Sequence, residues 1–149
     1  MNKEYLNVIL ADDDEGNIVF LKNILKELKI RTKVQAFQNG ADLMKYLNSE
    51  DALIPEIIFM DFHIPTKNAL GYLHEIKSNA KLENMVTVIY SNTVSEAEIE
   101  NVFVNGGNIF MKKPNEYSAL KKVVSEIITI NWQYHTSGFN KDNFIMKIG

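Results

Sequence analysis

Along this chain the hydrophobic positions keep changing period. Val8-Ile9-Leu10 is a continuous apolar run, after which Ile18, Leu21, Leu25 and Leu28 recur at helical spacing. The same change repeats from Val34-Gln-Ala-Phe37 to Leu43, Met44 and Leu47, and from Ile57-Ile-Phe-Met60 to Leu70, Leu73 and Ile76. It repeats again from Val86-Thr-Val-Ile-Tyr90 to Ile99, Val102 and Phe103, and from Ile109-Phe-Met111 to Leu120, Val123, Val124, Ile127 and Ile128. Short apolar runs predict strands, and recurrence near 3.6 residues predicts helices that bury one face. The punctuation agrees: Ser95-x-x-Glu98 predicts a capping box at the start of the fourth helix, and Gly106-Gly107 predicts its stop. A strand apolar throughout, such as Ile57 to Met60, has no face for water, so it belongs in a parallel sheet covered by helices on both sides. A closed barrel needs eight such units, so five imply an open, doubly wound α/β sheet.

The composition narrows the function more than the fold. At 149 residues, 46% hydrophobic and 23% charged, the chain has the size and balance of one globular domain. With no cysteine it has no disulfide, thiolate metal site or cysteine nucleophile. A net charge of −3 repels nucleic acid and anionic lipid, so neither a nucleic acid nor a membrane is an expected partner. The first apolar stretch runs directly into Asp12-Asp13-Asp14 and lacks the pattern of a signal peptide, and no run reaches the ~20 apolar residues of a membrane span. The expected location is the cytoplasm.

In open α/β sheets the ligand site lies at the carboxyl ends of the strands. Asp12 and Asp13 follow the first strand, Asp61 ends the third, Ser91 follows the fourth, and Lys113-Pro114 follows the fifth. The first turn has no glycine-rich phosphate loop, and its three acids would repel a phosphate. Carboxylates ~4 Å apart repel by about 4 kcal/mol per pair at an effective dielectric of 20, so Asp12, Asp13 and Asp61 share a pocket only with a cation present. Lys113 supplies one charge. An all-oxygen ligand set with room for water suits Mg²⁺ for the remainder. A carboxylate beside a divalent ion and a lysine is a competent nucleophile toward phosphorus, which points to an acyl phosphate on one aspartate.

Over about residues 6–130 the chain resembles a response-regulator receiver domain of two-component signalling, with its motif positions in order. The resemblance implies the flavodoxin-like strand order 2-1-3-4-5. It implies Mg²⁺ held by Asp12, Asp13, Asp61 and the backbone carbonyl of His63, with Asp61 in Ile-Ile-Phe-Met-Asp61-Phe-His-Ile-Pro65 as phosphoacceptor. It also implies Ser91 as switch hydroxyl, Phe110 as an aromatic that turns inward when Ser91 moves, Lys113 as catalytic lysine and a cis bond before Pro114. The segment Pro65 to Lys77 and the chain length resemble the small stand-alone regulators of phytochrome-like kinases. Such a protein takes its phosphoryl group from a histidine kinase or phosphotransfer protein. It is no enzyme beyond self-catalysed phosphorylation and autodephosphorylation, and it signals by pairing with a second copy or docking on a target through the fourth-helix to fifth-helix face. One departure is Ala69, where the family usually has glycine.

A haloacid-dehalogenase-type phosphatase would also use a strand-end aspartate, a serine, a lysine and Mg²⁺, and Val-Ile-Tyr-Ser91-Asn resembles its second motif. That family needs Asp-x-Asp, whereas His63 holds the second position; its nucleophile usually lies on the first strand. His63, expected to sit exposed above the metal, has no zinc-ligand spacing with His74 or His135. Residues 1–130 are expected to form the receiver. In 131–149, Trp132, Tyr134, Phe139, Phe144, Ile145 and Met146 carry too much apolar area for a solvated tail, so this extension is expected to pack on the receiver or on a dimer partner.

Overall fold

The computed structural model describes residues 5–137 and 146–148. Along them run β1 (Leu6–Ala11), α1 (Glu15–Glu27), β2 (Thr32–Phe37), α2 (Gly40–Leu47), β3 (Ile57–Asp61), α3 (Asn68–Lys77), β4 (Val86–Ser91), α4 (Glu96–Val104), β5 (Ile109–Lys112), α5 (Tyr117–Ser137) and β6 (Met146–Ile148). The sheet order is β2-β1-β3-β4-β5-β6, every pair parallel. The first five strands stand in the expected order 2-1-3-4-5.

Because side chains alternate along a strand, the continuous apolar runs feed two cores at once. Val8, Leu10, Phe59 and Val88 face α1 and α5, where Leu21, Ile24, Val124 and Ile127 meet them. Ile9, Ile58, Met60 and Ile89 face the opposite layer, with Leu43 of α2, Leu73 of α3 and Val102 of α4. The helix ends are capped locally, those of α4 as predicted. Asp14 caps α1 by accepting from the amides of Gly16 and Asn17, and Ser95 and Glu98 form the capping box of α4. Gly106 follows the last turn of α4 at φ 100°, a backbone conformation that favours glycine.

The sheet has six strands where five were expected. In a five-stranded sheet one edge of β5 would present unpaired amides and carbonyls, and β6 takes that edge, with Phe110 opposite Lys147. Helix α5 also carries straight across residue 130 to Ser137, so the chain has no break there. Trp132 packs partly buried against the α1 and α5 core. Phe139, Phe144 and Ile145 lie outside the described residues, as do the side chains of Tyr134 and Met146.

Within α5, Asn131 is fully buried, and neither its Oδ1 nor its Nδ2 has a hydrogen-bond partner among the described residues. A buried amide left unpaired costs about 1–3 kcal/mol, and an apolar side chain of similar shape removes that cost. Asn131→Leu is therefore expected to raise the melting temperature; an unchanged or lowered value in a thermal melt would count against it.

The turn after β3 holds Ala69 where the family usually has glycine. Ala69 is buried and donates its amide to the Phe62 carbonyl at 2.9 Å, while positive φ falls on Thr66 (90°) and Asn68 (53°). Asparagine tolerates that region; β-branched threonine is strained there by about 1–3 kcal/mol. Thr66→Gly relieves the strain at some cost in unfolded-state entropy, and we expect a net gain of about 1 kcal/mol by denaturant titration, with a loss counting against it.

Candidate functional site

At the carboxyl ends of β1 and β3 the structure brings Asp12, Asp13 and Asp61 together. Each offers a carboxylate oxygen, and the three oxygens lie within 4.8 Å of one another. Asp12 is fully buried, Asp61 half-buried and Asp13 exposed, so the cluster opens to water on the Asp13 side. Burial, the largest influence, holds the Asp61 carboxyl above its usual value of 3.8; the His63 amide opposes this, and the charges of Asp12 and Asp13 add to it. Three carboxylates at this spacing, one open to solvent, fit a small hard cation that keeps several waters.

The buried carboxylate is heavily solvated by protein groups. Asp12 Oδ1 accepts from the Asp14 amide at 2.8 Å, and Oδ2 accepts from the Asn17 Nδ2 at 3.1 Å and the Tyr90 hydroxyl at 2.6 Å. Tyr90 in turn is pushed well above the usual tyrosine range, first by its own burial and then by the Asp12 charge beside it, so it remains a donor.

Lys113 reaches the cluster from the end of β5, where its backbone amide donates to the Ser91 carbonyl. Its ammonium was expected to supply one positive charge to the cluster. Its Nζ donates to Asn17 Oδ1 at 2.5 Å, and no ion pair joins Lys113 to a carboxylate among the described residues. Among the described residues no salt bridge reaches the triad. The Lys113-Pro114 bond, implied to be cis by the resemblance, is trans, the lower-energy form of an unconstrained X-Pro bond.

Ser91 is buried, and its Oγ accepts from the Thr93 amide at 3.1 Å and lies 3.2 Å from Thr93 Oγ1. His63 is exposed, as expected, and its Nε2 sits 3.0 Å from the same Thr93 hydroxyl. Its backbone amide donates to Asp61 Oδ1 at 3.2 Å. Phe110 differs from expectation. The ring is already inside, 1% exposed, in the same core cluster as Ile89, Ile99 and Val102, because on β5 its position faces that layer. Three contributors escaped the sequence reading: Asn17, Tyr90 and Thr93. Asn17 lies on the first turn of α1, the turn that Asp14 caps, which was the one available hint. Tyr90 reads as a core residue of β4, and nothing in the sequence marks its hydroxyl.

A family model described as the response regulator receiver domain matches residues 8–125. The chain belongs to that family. Among curated relatives, the receiver is 23% identical over 124 residues to the response regulator Rcp1 of Synechocystis, covering 80% of this chain and 84% of Rcp1. It is 20% identical over 123 residues to a probable methanogenesis regulatory protein, FilR2, of Methanothrix harundinacea, covering 80% and 79%. Among solved structures it superposes on the phosphorylated cyanobacterial phytochrome response regulator RcpA with a TM-score of 0.78 at 24% identity, over 91% of this chain and 97% of that one. The Mn²⁺-bound form of Rcp1 gives 0.75 at 22% identity, over 83% and 92%. These likenesses bear out the flavodoxin-like receiver fold. The receiver assignment also retires the phosphatase alternative, whose second acid is replaced by His63.

Proposed function

We propose that the receiver accepts a phosphoryl group on Asp61 from the phosphohistidine of a histidine kinase or phosphotransfer protein, with Mg²⁺ bound, and signals by protein contact. The observation that carries this reading is the three-carboxylate cluster, with Asp61 partly open to solvent at a strand end and Lys113 one amide away from Asp12. An Asp61 carboxylate oxygen attacks phosphorus, the phosphorus-nitrogen bond breaks, and the leaving imidazole keeps the electron pair. Asp13 and Asp61 would hold Mg²⁺ directly, Asp12 through water, and the His63 carbonyl would complete the protein's share. The bound ion supplies charge neutralisation on the transferring oxygens.

The aspartyl phosphate adds roughly −1.5 to −2 charges and three acceptor oxygens. Lys113 Nζ and Ser91 Oγ move onto them. For Ser91 this means leaving Thr93; since Phe110 is already buried, the hydroxyl is the part that travels, and Phe110 follows as a packing adjustment toward α4. In this reading Mg²⁺ is the cofactor, the phosphodonor places the protein in the cytoplasm, and phosphorylated copies pair or dock through the α4 to α5 face. No described helix is long and apolar enough to cross a membrane. The parallel pairing of Met146–Ile148 with β5 supports docking of these last described residues on their own receiver. The test is incubation with acetyl phosphate and Mg²⁺ followed by intact mass: one phosphoryl unit is expected, lost again with hydroxylamine, and an unchanged mass would refute the proposal.

A further inference from the structure

Asn17 stands in series between the two charges of the site. Its Nδ2 donates to Asp12 Oδ2 at 3.1 Å, and its Oδ1 accepts from Lys113 Nζ at 2.5 Å. The orientation of the amide is forced by its partners, since an ammonium only donates and a carboxylate only accepts. Asn17 is half-buried in the first turn of α1, and Lys113 is half-buried at the end of β5. Tyr90 donates to the same Asp12 oxygen at 2.6 Å, a second tether that keeps that carboxylate from following the lysine.

We infer that Asn17 is a positioning residue that parks Lys113 on a neutral acceptor, keeping its ammonium off the Asp12, Asp13 and Asp61 carboxylates so that lysine and metal do not compete for them. Without the amide that links them, Lys113 is released beside the Asp12 carboxylate it was held from, and a lysine paired with the triad would displace a divalent ion. A neutral amide holds an ammonium more weakly than a charged oxygen does. Once Asp61 carries a phosphoryl group, its oxygens outcompete Asn17 Oδ1 and Lys113 transfers, while the Asn17 Nδ2 stays on Asp12. Asparagine meets both demands; an aspartate would clamp Lys113 and repel Asp12, and an alanine would let the lysine go.

The inference rests on Asp61 being the phosphoacceptor of a Mg²⁺-dependent site, and its test separates the two. Mg²⁺ affinity is measured by calorimetry on the full chain, and labelling by acetyl phosphate is followed at saturating Mg²⁺. Asn17→Ala is expected to weaken Mg²⁺ binding by about fivefold or more, because Lys113 then pairs with the triad. Asn17→Asp is expected to tighten Mg²⁺ binding, by adding a carboxylate, yet slow labelling about tenfold by clamping Lys113. In a Lys113→Ala background the Asn17→Ala effect on Mg²⁺ affinity should fall below about twofold, as a double-mutant cycle requires when one residue acts through the other. A residue that merely supports α1 would shift the melting temperature and move both variants the same way. Mg²⁺ affinities that shift in the same direction in Asn17→Ala and Asn17→Asp, or an Asn17→Ala effect that persists without Lys113, overturn the inference while leaving Asp61 in place. A wild-type chain that neither binds Mg²⁺ nor takes a phosphoryl group overturns both.

Discussion

Asp61→Asn abolishes labelling. Incubated with acetyl phosphate and Mg²⁺, the wild-type chain gains one phosphoryl unit by intact mass, and the variant gains none. Asp61 ends β3 half-exposed, and its carboxylate lies in the triad that would bind the metal. An amide in its place has no anionic oxygen to attack phosphorus and no charge to share with a metal. Asp12 is no substitute nucleophile, since it is fully buried and accepts three hydrogen bonds. The same variant carries a stability signature. Because Asp61 is held above 3.8 in the fold, ionising it there costs free energy relative to the unfolded chain. That cost is present at neutral pH and vanishes as the pH falls below 3.8, where the carboxyl is protonated in both states. In metal-free buffer Asp61→Asn should therefore melt a few degrees higher than wild type at pH 7, with the gain fading as the pH is lowered. Labelling of the variant at the wild-type rate would assign the phosphoacceptor elsewhere.

Loss of Asp13 has the second-largest expected effect, and it acts on the metal. Asp13 is the exposed member of the triad, and its carboxylate faces the side from which a hydrated ion would enter. Two carboxylates ~4 Å apart repel by about 4 kcal/mol at an effective dielectric of 20, and a divalent ion between them reverses the sign. Asp13→Ala removes both the repulsion and a metal ligand. Mg²⁺ affinity should fall by about tenfold or more in a calorimetric titration, labelling should be lost at Mg²⁺ concentrations that saturate the wild type, and the metal-free melting temperature should hold or rise. Equal Mg²⁺ affinity in the variant would remove Asp13 from the ligand set.

The sequence by itself determined the layered architecture and the cast at the strand ends. Apolar runs with no polar face, such as Ile57 to Met60, admit no other place than a sheet covered on both sides, and the capping box of α4 is a local rule executed locally. Asp12, Asp13, Asp61, Ser91 and Lys113 were legible because a charged or hydroxyl residue directly after an apolar strand lies on the ligand-binding edge of such a sheet. What the tertiary structure alone decided is how those groups are connected. Tyr90 lies 78 positions from Asp12, and Asn17 lies 96 positions from Lys113. Neither distance leaves a periodicity or a composition signal to read. The inward ring of Phe110 was likewise decided by the layer its strand position faces, and β6 by an edge of β5 that exists only once the sheet has assembled. Local patterning reports which face of an element is buried; which polar atoms meet at the end of four different elements depends on side-chain reach across the assembled sheet, and only the packed chain sets that.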